Sequence, residues 1–206
     1  MLAYVFWHRP AAGVREDDYE RSLAHFHHSL AQNPPAGFRS SVTLRAPELP
    51  WLRTVDGAGA ADSGNHGVGY EDWYLVENWT AIGVLEAAAV SRGHAGAHDT
   101  AARASGAGAG AVYRLIEGEG EPAVARLAVW VTRPIGSGEA TLADLLEDGF
   151  DPARSSLWQR SLVLGPAPEL CLLSGELDPA AETGVAGSRL PNGWSASEAA
   201  REPLVG

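Results

Sequence analysis

The chain has 206 residues, with 15 basic against 26 acidic side chains and a formal net charge of −11. Every basic residue is an arginine, which excludes chemistry that needs a lysine amine, such as Schiff bases, lysine-held pyridoxal phosphate and the phosphate-loop lysine. A single cysteine, Cys171, excludes an intramolecular disulfide and a cysteine-rich zinc site. The acidic balance argues against a nucleic-acid partner.

The composition is that of a globular protein, with 45% hydrophobic and 20% charged residues. The amino terminus, MLAYVFWHRP, has no basic region before its apolar run, unlike a signal peptide. Later apolar stretches fall short of the ~20 residues that a membrane span requires. We therefore expect a cytoplasmic protein without a membrane partner.

The first 120 residues are predicted to contain strands and helices in the order βαββαβ, which is that of the ferredoxin-like plait. The strands are predicted at residues 3–8, 38–46, 72–77 and 111–117. The helices are predicted at residues 17–31 and 80–90, with a further helical piece at residues 100–105 capped by Asp99. The first helix has its apolar residues on one stripe: Tyr19, Leu23, Phe26 and Leu30. The glycine-rich segments at 55–69 and 106–110 are predicted to be loops.

The beginning of this series recurs later in the chain. AYVFWHRP at residues 3–10 resembles LAVWVTRP at residues 127–134, and this comparison matches Phe6 with Trp130. SVTLRAPEL at 41–49 resembles LVLGPAPEL, which follows in the same order. Biased composition is the alternative source of such likenesses. We interpret the recurrence as an internal duplication.

The duplication divides the chain into two modules, residues 1–120 and residues 121–206. In the second module, strands are predicted at residues 126–133, 157–164 and 170–174, and helices at residues 141–147 and 194–201. The module lacks an evident counterpart of the last strand of the first. It is therefore predicted to be a truncated copy. Either the last strand is missing, or the tail at 203–206 supplies a short strand in its place.

Two ferredoxin-like modules in one chain resemble the dimeric α+β barrel superfamily, which includes EthD-like proteins, antibiotic-biosynthesis monooxygenases and chlorite-dismutase-like proteins. The resemblance implies an α+β fold with two four-stranded antiparallel sheets facing each other around a cavity, and helices outside. It implies a small molecule or haem as the ligand. It also implies a monomer with internal pseudo-two-fold symmetry. A fold alone assigns no reaction.

His8 is the first candidate catalytic residue. It ends the first predicted strand and shares a face with Tyr4 and Phe6, because side chains alternate along a strand. An imidazole can exchange a proton with a substrate near neutral pH. The alternative is a half-buried histidine bonded to a backbone carbonyl. This face of the strand is expected either to line the cavity or to pack under the helices.

Glu77 is the second catalytic candidate, because a carboxylate on a strand face shared with Trp73 and Leu75 is a potential acid or base. The alternative is a strand-end residue that reaches water. The predicted substrate-binding residues are Tyr4, Phe6, Arg9, His27, Trp73, Tyr113 and Trp130. Arg9 recurs as Arg133, and each guanidinium either holds an anionic group of a substrate or closes a salt bridge.

The histidines do not predict a metal site. His25, His27 and His28 diverge around their helix, so their imidazoles cannot share one ion. His94 and His98 have the spacing of two ligands on one helix face, but the glycines between and before them weaken that helix. We therefore predict no metal and no cofactor.

Two classes of function fit this sequence. The first is an enzyme acting on an apolar or aromatic, polyketide-like molecule, in which His8 and Glu77 move a proton during a cofactor-free oxygenation, cyclisation or isomerisation. The second is a non-catalytic binding or carrier protein with the same cavity. Haem binding through one histidine is a third, which only the superfamily resemblance suggests.

Overall fold

The computed structural model describes residues 1–46, 68–91, 93–119, 121–133, 152–163, 168–175 and 195–204. Within these ranges, nine strands form one antiparallel sheet, and three helices accompany it. The fold is therefore α+β, as the sequence predicts, and the sheet curves into a nearly closed barrel. No helix in these ranges is long and apolar enough to cross a membrane.

The first part of the chain contributes four strands and the three helices. The strands are β1 (Leu2–Pro10), β2 (Phe38–Ala46), β3 (Gly69–Val76) and β4 (Ser105–Gly118). The helices are α1 (Glu16–Gln32), α2 (Trp79–Ala89) and α3 (Ala95–Ala104). The strands lie in the order β4-β1-β3-β2 across the sheet, so that β1 is hydrogen-bonded on both sides.

The second part of the chain adds five strands, and a 3-10 turn at Pro152–Arg154 lies between the first and the second of them. They are β5 (Leu127–Thr132), β6 (Ser155–Val163), β7 (Leu170–Ser174), β8 (Ser195–Ala200) and β9 (Glu202–Pro203). Four of them lie in the order β8-β5-β7-β6, and β6 pairs with β4. β9 pairs with β2 at the far end of the sheet. Only Arg201 separates β8 from β9, so this junction brings the two ends of the sheet together.

Two of the predicted elements are wrong, and each contains many small residues. Residues 195–200 form strand β8 instead of a helix, because the segment pairs along the whole length of β5. Residues 106–110 are part of β4 and not a loop, because they pair with β1. Alanine and glycine carry little information about burial, so tertiary pairing decides the structure of both segments.

Two further details differ from the predictions. α3 begins at Ala95, with His94 in the N-cap position, so Asp99 lies inside the helix and does not cap it. The tail contributes the short strand β9 one residue earlier than predicted, and this strand pairs with β2. The predicted helix at 141–147 lies outside the described residues, as does most of the predicted loop at 55–69.

Each face of the sheet carries a buried core. The interior face holds a core of large aromatic side chains: Trp7, Trp73, Tyr113, Trp130 and Trp158. The opposite face packs against the helices, and α1 buries there the predicted stripe of Tyr19, Leu23, Phe26 and Leu30. Trp130 contacts Trp7 with ring centroids 5.1 Å apart. It therefore lies on the face of Trp7 and not on that of Phe6, with which the sequence comparison matched it.

Candidate functional site

A cavity of about 610 Å³ lies between the helices and the sheet face that they cover. It is on the outer side of the curved sheet and not among the tryptophans of the interior face. Most of its wall is apolar and includes Phe6, Leu23, Phe26, Leu85 and Val112. Its polar lining residues include His8, Tyr19, Asp72, Glu86, His98 and Ser105.

The imidazole of His8 is held between a phenol and a carboxylate. Its Nδ1 lies 2.5 Å from the hydroxyl oxygen of Tyr19, within hydrogen-bond distance. Its Nε2 lies 3.2 Å from Oδ2 of Asp72, an ion-pair distance, although the alignment is not that of a hydrogen bond. Only about 1% of His8 is exposed, so both ring nitrogens depend on these protein groups.

Asp72 is the centre of a second set of contacts. The hydroxyl of Thr43 donates to its Oδ1 at 2.7 Å, and the hydroxyl of Tyr74 donates to its Oδ2 at 2.9 Å. Nε2 of His27 lies 3.4 Å from Oδ1. One buried carboxylate therefore faces two imidazoles and accepts two hydroxyl hydrogen bonds.

The charge state of Asp72 follows from these neighbours. Burial raises the pKa of the Asp72 carboxyl, but the positive charges of His8 and His27 lower it by more. The net result is a pKa below the usual range, so the carboxylate remains anionic at neutral pH. Such an anion beside Nε2 favours the tautomer of His8 that carries its proton there.

The hydroxyl of Tyr19 contacts both His8 and Ser105. Its hydroxyl donates to the Oγ of Ser105 at 3.0 Å in one of its two possible orientations and faces Nδ1 of His8 in the other. Burial and the charge of Asp72 raise the pKa of the Tyr19 phenol well above its ordinary value, and the Ser105 bond offsets only part of this. The phenol therefore keeps its proton at neutral pH.

Local structure explains why these groups meet. Phe6 pairs with Asp72 and His8 with Tyr70 in the β1–β3 ladder, so alternate residues of both strands face the helices. The buried stripe of α1 lies against that face and places the Tyr19 phenol beside His8. The site therefore needs three elements, of which two are neighbouring strands.

The structure distributes the predicted substrate-binding residues over both faces of the sheet. Tyr4 and Phe6 line the cavity. His27 lies behind the wall, beside Asp72, and stacks on Tyr74 with ring centroids 5.0 Å apart. Trp73, Tyr113 and Trp130 lie in the interior core, away from this cavity. There the Tyr113 hydroxyl donates to the carbonyl oxygen of Pro168 at 2.5 Å.

Glu77 and Arg9 do not join the cavity wall. Glu77 follows the last residue of β3 and is exposed, with Oε1 at 3.1 Å from Nη2 of Arg39. It therefore lies beyond the end of β3 that is remote from His8, because Val76 pairs with Leu2. Arg9 is partly buried in β1. Its counterpart Arg133 forms an ion pair with Glu169 at 2.9 Å.

Four further histidines are not among the contacts of His8 and Asp72 described above. His25 and His28 are exposed on α1. Nδ1 of His94 lies 3.1 Å from the Ser29 hydroxyl oxygen, whereas His98 lines the cavity beside Phe26 with ring centroids 5.4 Å apart. In the part of the chain that the structure describes, no three His, Cys, Asp or Glu side chains converge on a possible metal position.

The candidates chosen from sequence omit three polar residues of the contact network around His8: Tyr19, Asp72 and Ser105. Tyr19 belongs to the apolar stripe of α1, which explains it as a core residue. Asp72 does carry a signal, because it is an acidic residue two positions before Tyr74 on a strand with apolar neighbours on both faces. Ser105 has no such signal, since it lies at the boundary of α3 and β4.

Comparison with known proteins does not extend this description. No protein-family model matches the sequence, and no curated protein shows significant similarity to it. The resemblance to the dimeric α+β barrel superfamily therefore rests on the element order, and the nearly closed antiparallel sheet is consistent with it. The function has to be argued from the geometry of the site.

Proposed function

We propose that the chain is an enzyme that moves a proton on an apolar or aromatic small molecule, without a cofactor. The observation that carries this proposal is the His8 imidazole, fixed between the Tyr19 hydroxyl and the Asp72 carboxylate on the wall of a largely apolar cavity. His8 keeps the role expected from the sequence. Asp72 takes the place of Glu77 as its carboxylate partner.

The proposed reaction begins at the hydroxyl oxygen of Tyr19, a residue of the cavity wall. It removes a proton from the substrate as its own proton passes to Nδ1 of His8. Asp72 stabilises the imidazolium that forms, as the aspartate does in a Ser-His-Asp triad. The proton then returns along the same groups to another atom of the same molecule. The net result is an isomerisation or a ring closure, and the proton removal is also the first step of a cofactor-free oxygenation.

The fold supports a tandem arrangement of two ferredoxin-like modules. The order β8-β5-β7-β6 repeats the order β4-β1-β3-β2 when strands are counted from the start of each half. Both correspond to the order 4-1-3-2 of a ferredoxin-like plait, with β8 as the fourth strand of the second module. We propose on this basis that the chain arose by internal duplication and acts as a monomer.

Hydrogen exchange on an enolisable ketone tests the proposed proton transfer. The probe is 2-tetralone, an apolar fused-ring ketone, and proton NMR in D₂O measures the exchange of its C1 hydrogens. We expect the protein to accelerate the exchange. Tyr19→Phe and His8→Gln should each slow the catalysed exchange by about 100-fold or more, the usual contribution of a positioned acid or base.

The matched control is His25→Gln, on the exposed side of the same helix as Tyr19. It should exchange the probe at the wild-type rate. Equal rates for wild type and Tyr19→Phe would contradict the proposal. A bound probe that exchanges no faster than in buffer would instead indicate the carrier function.

The carrier is the second candidate, and one observation favours it. Both ring nitrogens of His8 already face protein groups, as expected of a histidine that shapes a binding cavity without reacting. The same observation disfavours His8 as a haem ligand, because an iron–nitrogen bond would displace either Tyr19 or Asp72. If the protein is a carrier, the wild type and the His8→Gln variant should bind 2-tetralone equally well, and neither should accelerate its exchange.

A further inference from the structure

Three glycines of β4 lie on the sheet face that carries the cavity. Gly106, Gly108 and Gly110 alternate with residues that face the interior core, such as Ala109. In the β1–β4 ladder, Gly108 pairs with His8 and Gly110 pairs with Phe6. Glycine weakens a strand interior, so a run of three on one face indicates that something else occupies the space of the missing side chains.

The aromatic rings of β1 occupy that space at Gly108 and Gly110, whereas the backbone of residues 9–11 occupies it at Gly106. A Cβ atom at position 108 would lie 2.5 Å from Cζ of Phe6 and 3.0 Å from the carbonyl oxygen of Trp7. A Cβ atom at position 110 would lie 2.9 Å from the hydroxyl oxygen of Tyr4. Each ring therefore leans across onto β4 and lies over a glycine. Any larger residue would lift the ring off the sheet and into the cavity.

Four aromatic rings lie on this face of the sheet, and we call them the aromatic shelf: Tyr4, Phe6, His8 and Tyr74. Neighbouring ring planes are nearly parallel, at 19° for Tyr4 and Phe6 and at 26° for Phe6 and His8. The Tyr74 ring continues the shelf onto β3, at 26° to that of Tyr4. All four residues line the cavity. The helices supply the other side with aliphatic groups, such as those of Leu23 and Leu85.

A flat aromatic wall opposite aliphatic side chains gives the cavity a shape preference. A planar ring system can contact several rings of the shelf at once, with the offset stacking that aromatic groups favour. A puckered ring of the same size holds its atoms off this surface and loses part of that contact.

We propose that Gly108 and Gly110 are specificity-determining residues: they keep the aromatic shelf flat, so that the cavity selects planar fused-ring ligands over puckered ones. This inference rests on the proposed function, because it specifies the ligand of the same cavity. It assigns a binding role to a glycine segment that the catalytic groups do not explain.

Calorimetric titration with two matched phenols tests this inference. The probes are 2-naphthol, which is planar, and 5,6,7,8-tetrahydro-2-naphthol, which has the same carbon skeleton with one puckered ring. The wild-type protein should bind 2-naphthol about threefold to tenfold more tightly, the range of one aromatic stacking contact. Gly108→Ala and Gly110→Ala should reduce the ratio of the two Kd values to below about twofold.

Two further variants separate shelf geometry from folding. Gly83→Ala is the control, because a Cβ atom there meets nothing within 4 Å, and it should keep the wild-type ratio. Phe6→Leu removes one ring of the shelf but keeps an apolar side chain. It should bind the tetrahydro compound as the wild type does and lose the preference for 2-naphthol. Its result decides the question even if the glycine variants fail to fold.

The outcomes also distinguish this inference from the proposed function. If the wild type binds both phenols with equal affinity, the shape preference is wrong and the binding cavity stands. If Phe6→Leu keeps the wild-type ratio, the aromatic shelf does not select the ligand. If the wild type binds neither phenol, both the inference and the proposed small-molecule site are overturned.

Discussion

At the residue scale, the site depends on one buried carboxylate between two imidazoles. Asp72 is about 3% exposed, and its oxygens face His8 and His27 and accept hydrogen bonds from Thr43 and Tyr74. A buried charge is stable only when such partners compensate for its lost hydration. Removing the charge therefore affects every group that faces it.

Asp72→Asn should lower the free energy of unfolding by about 3 kcal/mol at pH 7, because it breaks a buried pair and leaves the imidazoles without their anion. Urea unfolding measures the difference from wild type. Asp18→Asn is the control: Asp18 pairs with Arg21 on the exposed surface of α1, and its loss should change the free energy by less than about 0.5 kcal/mol. Equal effects of the two variants would contradict the central role of Asp72.

The wild type and Asp72→Asn should also differ in how their stability depends on pH. The folded-state pKa of Asp72 lies below that of the unfolded chain, near 3.9, so its stabilisation is present above about pH 4 and is lost as the pH falls toward the folded-state value. The stability difference between wild type and Asp72→Asn should be about 1 kcal/mol smaller at pH 3 than at pH 7. A difference that grows on acidification would show that the carboxyl is protonated in the folded state.

The sequence predicts part of this chemistry. Period-2 alternation places Tyr4, Phe6 and His8 on one face, and the structure has all three on the cavity wall. Alternation within one strand cannot show which residue of another strand is the neighbour. The carboxylate beside His8 is therefore Asp72 and not Glu77, because the β1–β3 register decides the pair.

At the element scale, two glycines have opposite roles, one inside α2 and the other in the turn that packs against it. Gly83 lies on the exposed face inside the helix, where a Cβ atom would meet nothing within 4 Å. Gly37 precedes β2 with a φ of +77°, and a Cβ atom there would lie 2.6 Å from that of Ala81. The first position gains nothing from glycine, whereas the second requires it.

Gly83→Ala should raise the free energy of unfolding by about 0.5–1 kcal/mol, because alanine restricts the unfolded chain and favours the helix. Gly37→Ala should lower it by more than about 1 kcal/mol, since alanine rarely adopts a positive φ and its methyl group would collide with Ala81. Denaturant unfolding measures both changes: the midpoint concentration should shift, while the dependence of the free energy on denaturant concentration stays constant. A stabilised Gly37→Ala variant would show that α2 does not pack against this turn.

Elements with strong periodicity are predicted well from this sequence, and those made of small residues are not. β2 is found at its predicted bounds, and α1 differs by one residue at each end. β8 and the first half of β4 consist mainly of alanine, serine and glycine, whose patterns do not distinguish helix, strand and loop. Pairing with β5 and β1 makes both segments strands, and the sequence alone does not contain that information.

At the scale of the whole molecule, a buried ion pair links the junction of β8 and β9, the two ends of the sheet, to β3. Nε of Arg201, between β8 and β9, lies 3.2 Å from Oε2 of Glu71 on β3, and both side chains are fully buried. Nε1 of Trp73 donates to the same carboxylate oxygen at 3.1 Å, and the Arg201 guanidinium lies 5.4 Å from the centre of a Trp73 ring. The pair is on the interior face, opposite the cavity.

Breaking this pair should destabilise the whole molecule. Arg201→Met leaves the Glu71 charge buried without its cation and should lower the free energy of unfolding by about 3–5 kcal/mol. Replacing both charges by apolar groups, as Glu71→Leu with Arg201→Met, should recover most of that loss, because neither charge then needs compensation. Arg39→Met is the exposed control, since Arg39 pairs with Glu77 at the surface, and it should change the value by less than about 0.5 kcal/mol.

The ion pair also predicts the number of transitions in the unfolding curve. Because Arg201 links the junction of β8 and β9 to β3, and β6 pairs with β4, the two halves of the sheet should unfold in one transition in the wild type. In Arg201→Met, the same single transition should move to lower denaturant when followed by tryptophan fluorescence and by far-UV circular dichroism. Two separate transitions in the wild type would show that the halves fold independently and that the ion pair does not join them.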